Sequence, residues 1–112
     1  MVELGLIRSI ALGLPEVLEE PHFEKAAFKV NKKIFATLDA KQHVLCVKLS
    51  VSNQDAFSSS DNSTIYPVPN KWGQQGWTLL NLQQVRTEML VAILKTAYCD
   101  VAPKKLALFV TL

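Results

Sequence analysis

The spacing of apolar positions changes character twice along the chain. Near the start, Leu4, Ile7 and Ala11 recur at helical intervals, with Glu3, Arg8 and Ser9 left for the wet side. Leu12 and Leu14 add to the apolar character. Pro15 then restricts Leu14 and cannot continue the helical hydrogen bonds, so an amphipathic first helix ends there. From Val17 the period shortens to two. Phe28 and Val30 alternate with Ala27 and Lys29; Ile34, Ala36 and Leu38 with Phe35 and Thr37; Leu45, Val47 and Leu49 with Val44, Cys46 and Lys48. These are three strands of a meander, and an earlier strand fits Val17 to His22. Asn31-Lys32 reads as a tight hairpin turn because Asn tolerates positive φ, and Asp39 to Gln42 as a slightly longer one.

Beyond Ser50 the pattern weakens. Ser52 is positioned to cap a short helix from Asn53 to Ser59. Ile65-Tyr66-Pro67-Val68-Pro69 must be extended, Asn70 to Gly76 reads as a loop, and Trp77 to Leu82 as another strand. Helical spacing returns over Leu82 to Val101, where Val85, Met89, Ile93, Ala97 and Val101 share a face with Leu90 and Leu94 beside them. Pro103 stops or kinks this helix. The almost wholly apolar tail Leu106 to Leu112 either packs as a last strand or helix, the favoured reading, or forms an association surface. The order α-β-β-β-β-α-β-α makes an α+β fold. It comprises an antiparallel meander, an N-terminal helix, a short middle helix and a long C-terminal helix, in one domain over residues 1–112.

Composition narrows the functional classes. The chain has 112 residues and is 49% apolar, enough to bury a core without a staple. Its net charge of +2 excludes a strongly basic architectural DNA binder but leaves room for a local basic patch. No apolar run approaches the ~20 residues of a membrane helix. The start carries Glu3 and Arg8 without a basic leading region or A-x-A site, so it does not read as a signal peptide. A soluble, cytoplasmic domain is expected. Cys46 and Cys99 are far apart and joined only by His22 and His43 as further soft ligands. A metal site is therefore not expected. Free buried thiols in a reducing compartment are the reading, with a disulfide as the alternative.

No catalytic motif is present, and no cofactor is implied. Glu20 and His22 share a strand face as a general acid/base pair would, but they read as a solvated strand edge, and an enzyme is not expected. Lysines are more suggestive. Lys25, Lys29, Lys32 and Lys33 flank or occupy one hairpin, Lys41 sits in the next turn, Lys71 adjoins Trp72, and Lys104-Lys105 follow the last helix. Lysines on hairpin tips reach phosphates, and an exposed aromatic stacks on a base; edge lysines also serve simply to prevent strand pairing. Trp77 is expected to anchor the core. Trp72 is expected to be partly exposed, as a contact for a ligand or as a lid. Gly73 and Gly76 are expected to permit turn geometry.

Several blocks resemble the MmcQ/YjbR-like family: Glu20-Pro21-His22-Phe23 through Phe28-Lys29-Val30, and Lys33-Ile34-Phe35-Ala36-Thr37-Leu38-Asp39. So do Val47-Lys48-Leu49, Tyr66-Pro67-Val68-Pro69, Trp72-Gly73-Gln74-Gln75-Gly76-Trp77-Thr78 and Val101-Ala102-Pro103-Lys104-Lys105-Leu106. The apolar extension after Leu106 departs from that family's compact ending. The resemblance implies an α+β fold akin to CyaY-like and secretion-chaperone-like arrangements, with no established activity. It also implies a DNA-binding role through two hairpin wings. The lysines around Asn31 and the Lys71-Trp72 segment are the positions that would serve such wings. A DNA-binding module is thus one expectation. A protein-interaction or chaperone-like adaptor using the apolar tail is the other, and an enzyme or small-ligand binder centred on Glu20, His22 and Trp72 is the least favoured.

Overall fold

The computed structural model describes residues 2–60 and 62–111; Met1, Asp61 and Leu112, the last residue of the expected tail, lie outside them. The elements run α1 (Leu4–Gly13), β1 (Leu18–His22), β2 (Lys25–Val30), β3 (Lys33–Asp39), β4 (Val44–Lys48), α2 (Val51–Ser60) and β5 (Ile65–Pro67). They continue with α3 (Lys71–Gln74), β6 (Trp77–Asn81), α4 (Thr87–Val101) and α5 (Lys104–Ala107). The strands form one sheet in the order β1-β2-β3-β4-β6-β5, and each neighbouring pair is antiparallel. The α+β meander is as the periodicity requires. The Asn31-Lys32 turn has both residues at positive φ, 51° and 68°, the geometry that suits a two-residue hairpin to twisted strands.

Period two gives the sheet an inner and an outer face. Leu38, Leu45, Leu80 and Ile65 lie opposite one another across four strands and are all buried. Against them pack Ile7 and Ala11 of α1 and Leu90, Ile93, Leu94, Ala97 and Tyr98 of α4. One departure changes the outer face. The β2/β3 pairing shifts register at Phe28/Lys29, so that Lys29 faces Ile34 and Phe28 faces Ala36. This bulge leaves Phe35 unpaired and turns it inward. It is fully buried, edge-on to Tyr98 with ring centroids 5.5 Å apart. Strict alternation would put Ile34 inside and Phe35 outside; the extra residue reverses them.

Other elements also differ from expectation. Helix α2 starts earlier and is capped by Ser50, not Ser52: Ser50 Oγ accepts the Asn53 N–H at 3.1 Å. Asp100 of α4 reinforces that end, accepting from the Ser50 N–H at 2.9 Å and from Asn53 Nδ2 at 3.0 Å. The expected loop from Asn70 to Gly76 contains α3, whose first turn is closed by Asn70 Oδ1 accepting the Trp72 N–H at 2.8 Å. The long helix begins at Thr87, because residues 82–86 form a turn that returns the chain from β6. Beyond Pro103 the chain makes α5, which buries Leu106, while Leu108 and Phe109 are 85% and 79% exposed. The tail therefore divides: its first residues pack and the next two do not.

Candidate functional site

The outer face of the sheet carries a row that crosses all six strands: Glu20, Ala27, Thr37, Cys46, Leu79 and Tyr66. Over this row lies a groove of about 460 Å³, within the range of small-ligand clefts. Its floor is Thr37, Cys46 and Leu79, with Ile34 brought in by the bulge. Trp72, Trp77 and Val68 line it as well, together with His22 and Lys25 from the β1–β2 hairpin. Trp77 therefore faces the groove, half-buried, and does not anchor the core. It begins β6 in the register position opposite Lys48, and outward-facing residues of this strand are one residue out of step with core residues Thr78 and Leu80. Trp72 is 50% exposed, with Lys71 Nζ 5.9 Å from its ring centroid, a geometry for cation–π attraction.

Two glycines hold the segment bearing these tryptophans close to its neighbours. A Cβ on Gly73 would fall 1.9 Å from the Val68 carbonyl oxygen, and one on Gly76 1.8 Å from that of Leu49. Gly76 also has φ +107°, where L side chains are strained. Buried Gln54 of α2 ties the segment from below, its Nε2 donating to the carbonyls of Gly73 at 2.9 Å and Trp77 at 3.2 Å. Lys48 Nζ donates to the Gln75 carbonyl at 2.7 Å. The tryptophan positions are thus fixed by backbone contacts rather than by a floppy loop.

The candidate lysines fall into groups. Lys29 pairs with Glu20 at 3.4 Å and Lys41 with Glu24 at 3.9 Å; such exposed pairs add little stability, but each sets a carboxylate beside the cation. Lys25 lines both the groove and the neighbouring hollow that holds Glu19, Glu20 and Glu24, and has no ion pair among the described residues. Lys32 sits in the β2–β3 turn. Lys33 lines a smaller hollow with Lys48, Trp77 and Asp100, so it adjoins the groove through the shared Trp77 and has one carboxylate in the same hollow. Lys71 begins α3 beside Trp72. Lys32, Lys33 and Lys71 therefore gather at one end of the sheet, while Lys41 lies at the turn between β3 and β4, the opposite end. Lys104 and Lys105 begin α5, the short helix that follows α4.

Burial pushes the Cys46 thiol up from its ordinary value of 9.0 to about 11, against the lowering influence of the Lys25 charge and a Thr78 backbone hydrogen bond. Burial likewise raises Cys99, with Asp100 adding to it. Both thiols are free, as expected, but each is only partly buried. Glu20 and His22 do share the outer face, but Glu20 is engaged by Lys29 and the His22 ring is edge-on to Phe23 at 5.0 Å. Among the described residues no three His, Cys, Asp or Glu side chains are grouped to hold a metal ion.

A family model described as YjbR matches residues 12–99. The chain belongs to the YjbR family. A solved structure similar to this YjbR-family chain is that of the Deinococcus radiodurans protein DR2400, described as containing the domain DUF419. It is 26% identical, covers 94% of this chain and 82% of that one, and superposes with a TM-score of 0.79. No curated protein matches the chain. The family match contains the whole groove and the lysines from Lys25 to Lys71; Lys104, Lys105, Leu108 and Phe109 lie outside it. Of the groove residues, His22, Lys25 and Trp72 are recognisable from the sequence, whereas Ile34, Thr37, Cys46, Val68 and Leu79 are not, and Trp77 reads there as a core residue. The available signal was β6 itself: Trp77 and Leu79 are in step with each other and out of step with Leu80.

Proposed function

We propose that this YjbR-family chain is a nucleic-acid-binding module that grips phosphates with Lys32, Lys33 and Lys71. The observation that supports the reading is that all three lie at one end of the sheet. These cations have no ion pair among the described residues and flank one end of the sheet, beside a half-exposed tryptophan. A tight turn with both residues in the left-handed region projects Lys32 from a stiff hairpin. Phosphate contacts of this kind give affinity that is independent of sequence and falls with salt. The cytoplasmic setting belongs to the same proposal; among the described residues no helix is long and apolar enough to cross a membrane.

Fluorescence anisotropy with labelled duplex and single-stranded DNA at about 50 and 200 mM salt tests it. Micromolar binding is expected, with a log–log salt slope near −0.9 for each duplex phosphate engaged, lost in the Lys32→Glu/Lys33→Glu double variant. A flat titration at low salt, or binding that ignores salt, overturns it.

One observation favours a second reading, a protein-interaction adaptor. Leu108 and Phe109 are adjacent, apolar and largely exposed, at the end of a chain whose preceding residues pack. Deleting residues 107–112 is then expected to change oligomeric state or partner capture without unfolding the domain. A monomer before and after deletion, with unchanged partners, overturns this reading.

A further inference from the structure

We infer that the outer-face groove is a seat for one unstacked nucleotide, its base against Trp72 and Trp77 and one of its phosphates towards Lys25. The inference rests on the nucleic-acid reading and narrows it: the lysine end supplies grip, and the groove requires a base out of its stack. Three features converge on this ligand. The groove is amphipathic along its length, with two indoles at one end and a lysine at the other. No carboxylate lines it; Glu19, Glu20 and Glu24 line the neighbouring hollow, and Lys25 stands on the border between the two. Its volume of about 460 Å³ suits one small ligand. Indole faces stack on any base, so the seat discriminates by strandedness more than by sequence.

The register sets the geometry. Trp77 pairs with Lys48, and four residues further along β6 Asn81 pairs with Val44, which pairs with Asp39 of β3. Lys25 precedes Ala26, whose partner is Leu38, so it lies at the Asp39 level. The indole and lysine ends are therefore about four residues, or ~13 Å, apart along the strands, a span that a nucleotide and an extended lysine side chain bridge together. The second phosphate flanking that nucleotide would leave past Trp72 towards Lys71. A base inside a duplex cannot enter such a groove without being extruded, at a cost in stacking and pairing.

The chain's two tryptophans both line the groove, which makes intrinsic fluorescence a local reporter. The full chain is titrated with a thymidine oligonucleotide, with thymidine monophosphate, with thymidine and with a fully paired duplex. Excitation is at the red edge of indole absorption, and anisotropy is read in parallel. Quenching by the oligonucleotide at lower concentration than by the monophosphate, and little by thymidine or duplex, is the expected result. It identifies the nucleotide as part of a strand. Quenching by the monophosphate at equal or lower concentration keeps the seat and identifies a free nucleotide as its occupant. Trp72→Ala, at an exposed position, should weaken the quenching ligand about fivefold or more as read by Trp77, and Leu79→Arg should abolish the quench by filling the floor. Salt-sensitive anisotropy with no quench by oligonucleotide or monophosphate overturns the seat and leaves the proposed function standing. Quench without salt-sensitive anisotropy does the reverse.

Discussion

The phenol oxygen of Tyr98 donates to the carbonyl of Pro15 at 2.7 Å, joining the last turn of α4 to the corner where the chain leaves α1. The bond sits at the edge of the core, and the ring below it is edge-on to Phe35. Tyr98→Phe keeps the ring and removes the donor. A loss of about 1 kcal/mol is expected, rising towards ~3 kcal/mol if the Pro15 carbonyl finds no water. Urea unfolding measures it, and an unchanged midpoint would show that the carbonyl is satisfied without the phenol.

Gly76 and Gly13 are expected to respond to alanine in opposite directions. At Gly76 the backbone of residue 49 approaches so closely that a Cβ would meet the Leu49 carbonyl oxygen at 1.8 Å, and φ is +107°. The Leu49 N–H also donates to the Gly76 carbonyl at 3.0 Å, so relief would cost a backbone hydrogen bond. Gly76→Ala should lose more than about 4 kcal/mol, or yield no soluble protein. Gly13, at the end of α1, has nothing within 4 Å of a built Cβ, and Gly13→Ala should gain up to about 1 kcal/mol. Thermal unfolding of the pair checks both signs.

Alkaline pH should loosen the domain. Cys46 is raised from 9.0 to about 11, mainly by burial, so its unfolded form ionises first. The neutral thiol's contribution is complete below pH 9 and is lost as pH rises through about 11. Its full size is on the order of 2–3 kcal/mol. Burial raises Tyr98 from 10.0 as well, and its ionisation would remove the donor to Pro15, so the two act in the same direction. Stability measured between pH 8 and 11 should fall, less steeply in Cys46→Ala. Equal slopes in both proteins would place the effect elsewhere.

The parts of this fold that follow one-dimensional rules were legible; those assembled from several segments were not. Period two located β2, β3 and β4, and helical spacing located α1 and the body of α4, because each pattern is the local imprint of one buried face. Ile34 and Phe35 escaped because a bulge is a pairing event between two strands and leaves no mark on either alone. Helix α3 escaped because four residues have no periodicity to read; it exists through the Asn70 cap and the fit of Gly73 on Val68. The candidate site was half legible. Trp72 and Lys25 could be named from type and place, but the groove between them needs residues from separate strands. Nor could the chain reveal that Glu20 and Glu24 stand beside Lys29 and Lys41.

The last residues offer a separation of stability from association. Leu106 is buried at 9% exposure, and Leu106→Ala should cost about 2 kcal/mol or more through lost packing. Two residues on, Leu108 and Phe109 lie free of the core, so Leu108→Asp/Phe109→Asp should leave stability within about 0.5 kcal/mol of the parent. If these side chains form the adaptor surface of the second reading, the same double variant should abolish concentration-dependent self-association or partner capture. Analytical ultracentrifugation over a wide concentration range, beside thermal unfolding, reads both quantities on one set of proteins. A monomeric parent with the same partners as the double variant removes the tail from function. A double variant that unfolds would mean that these residues pack after all.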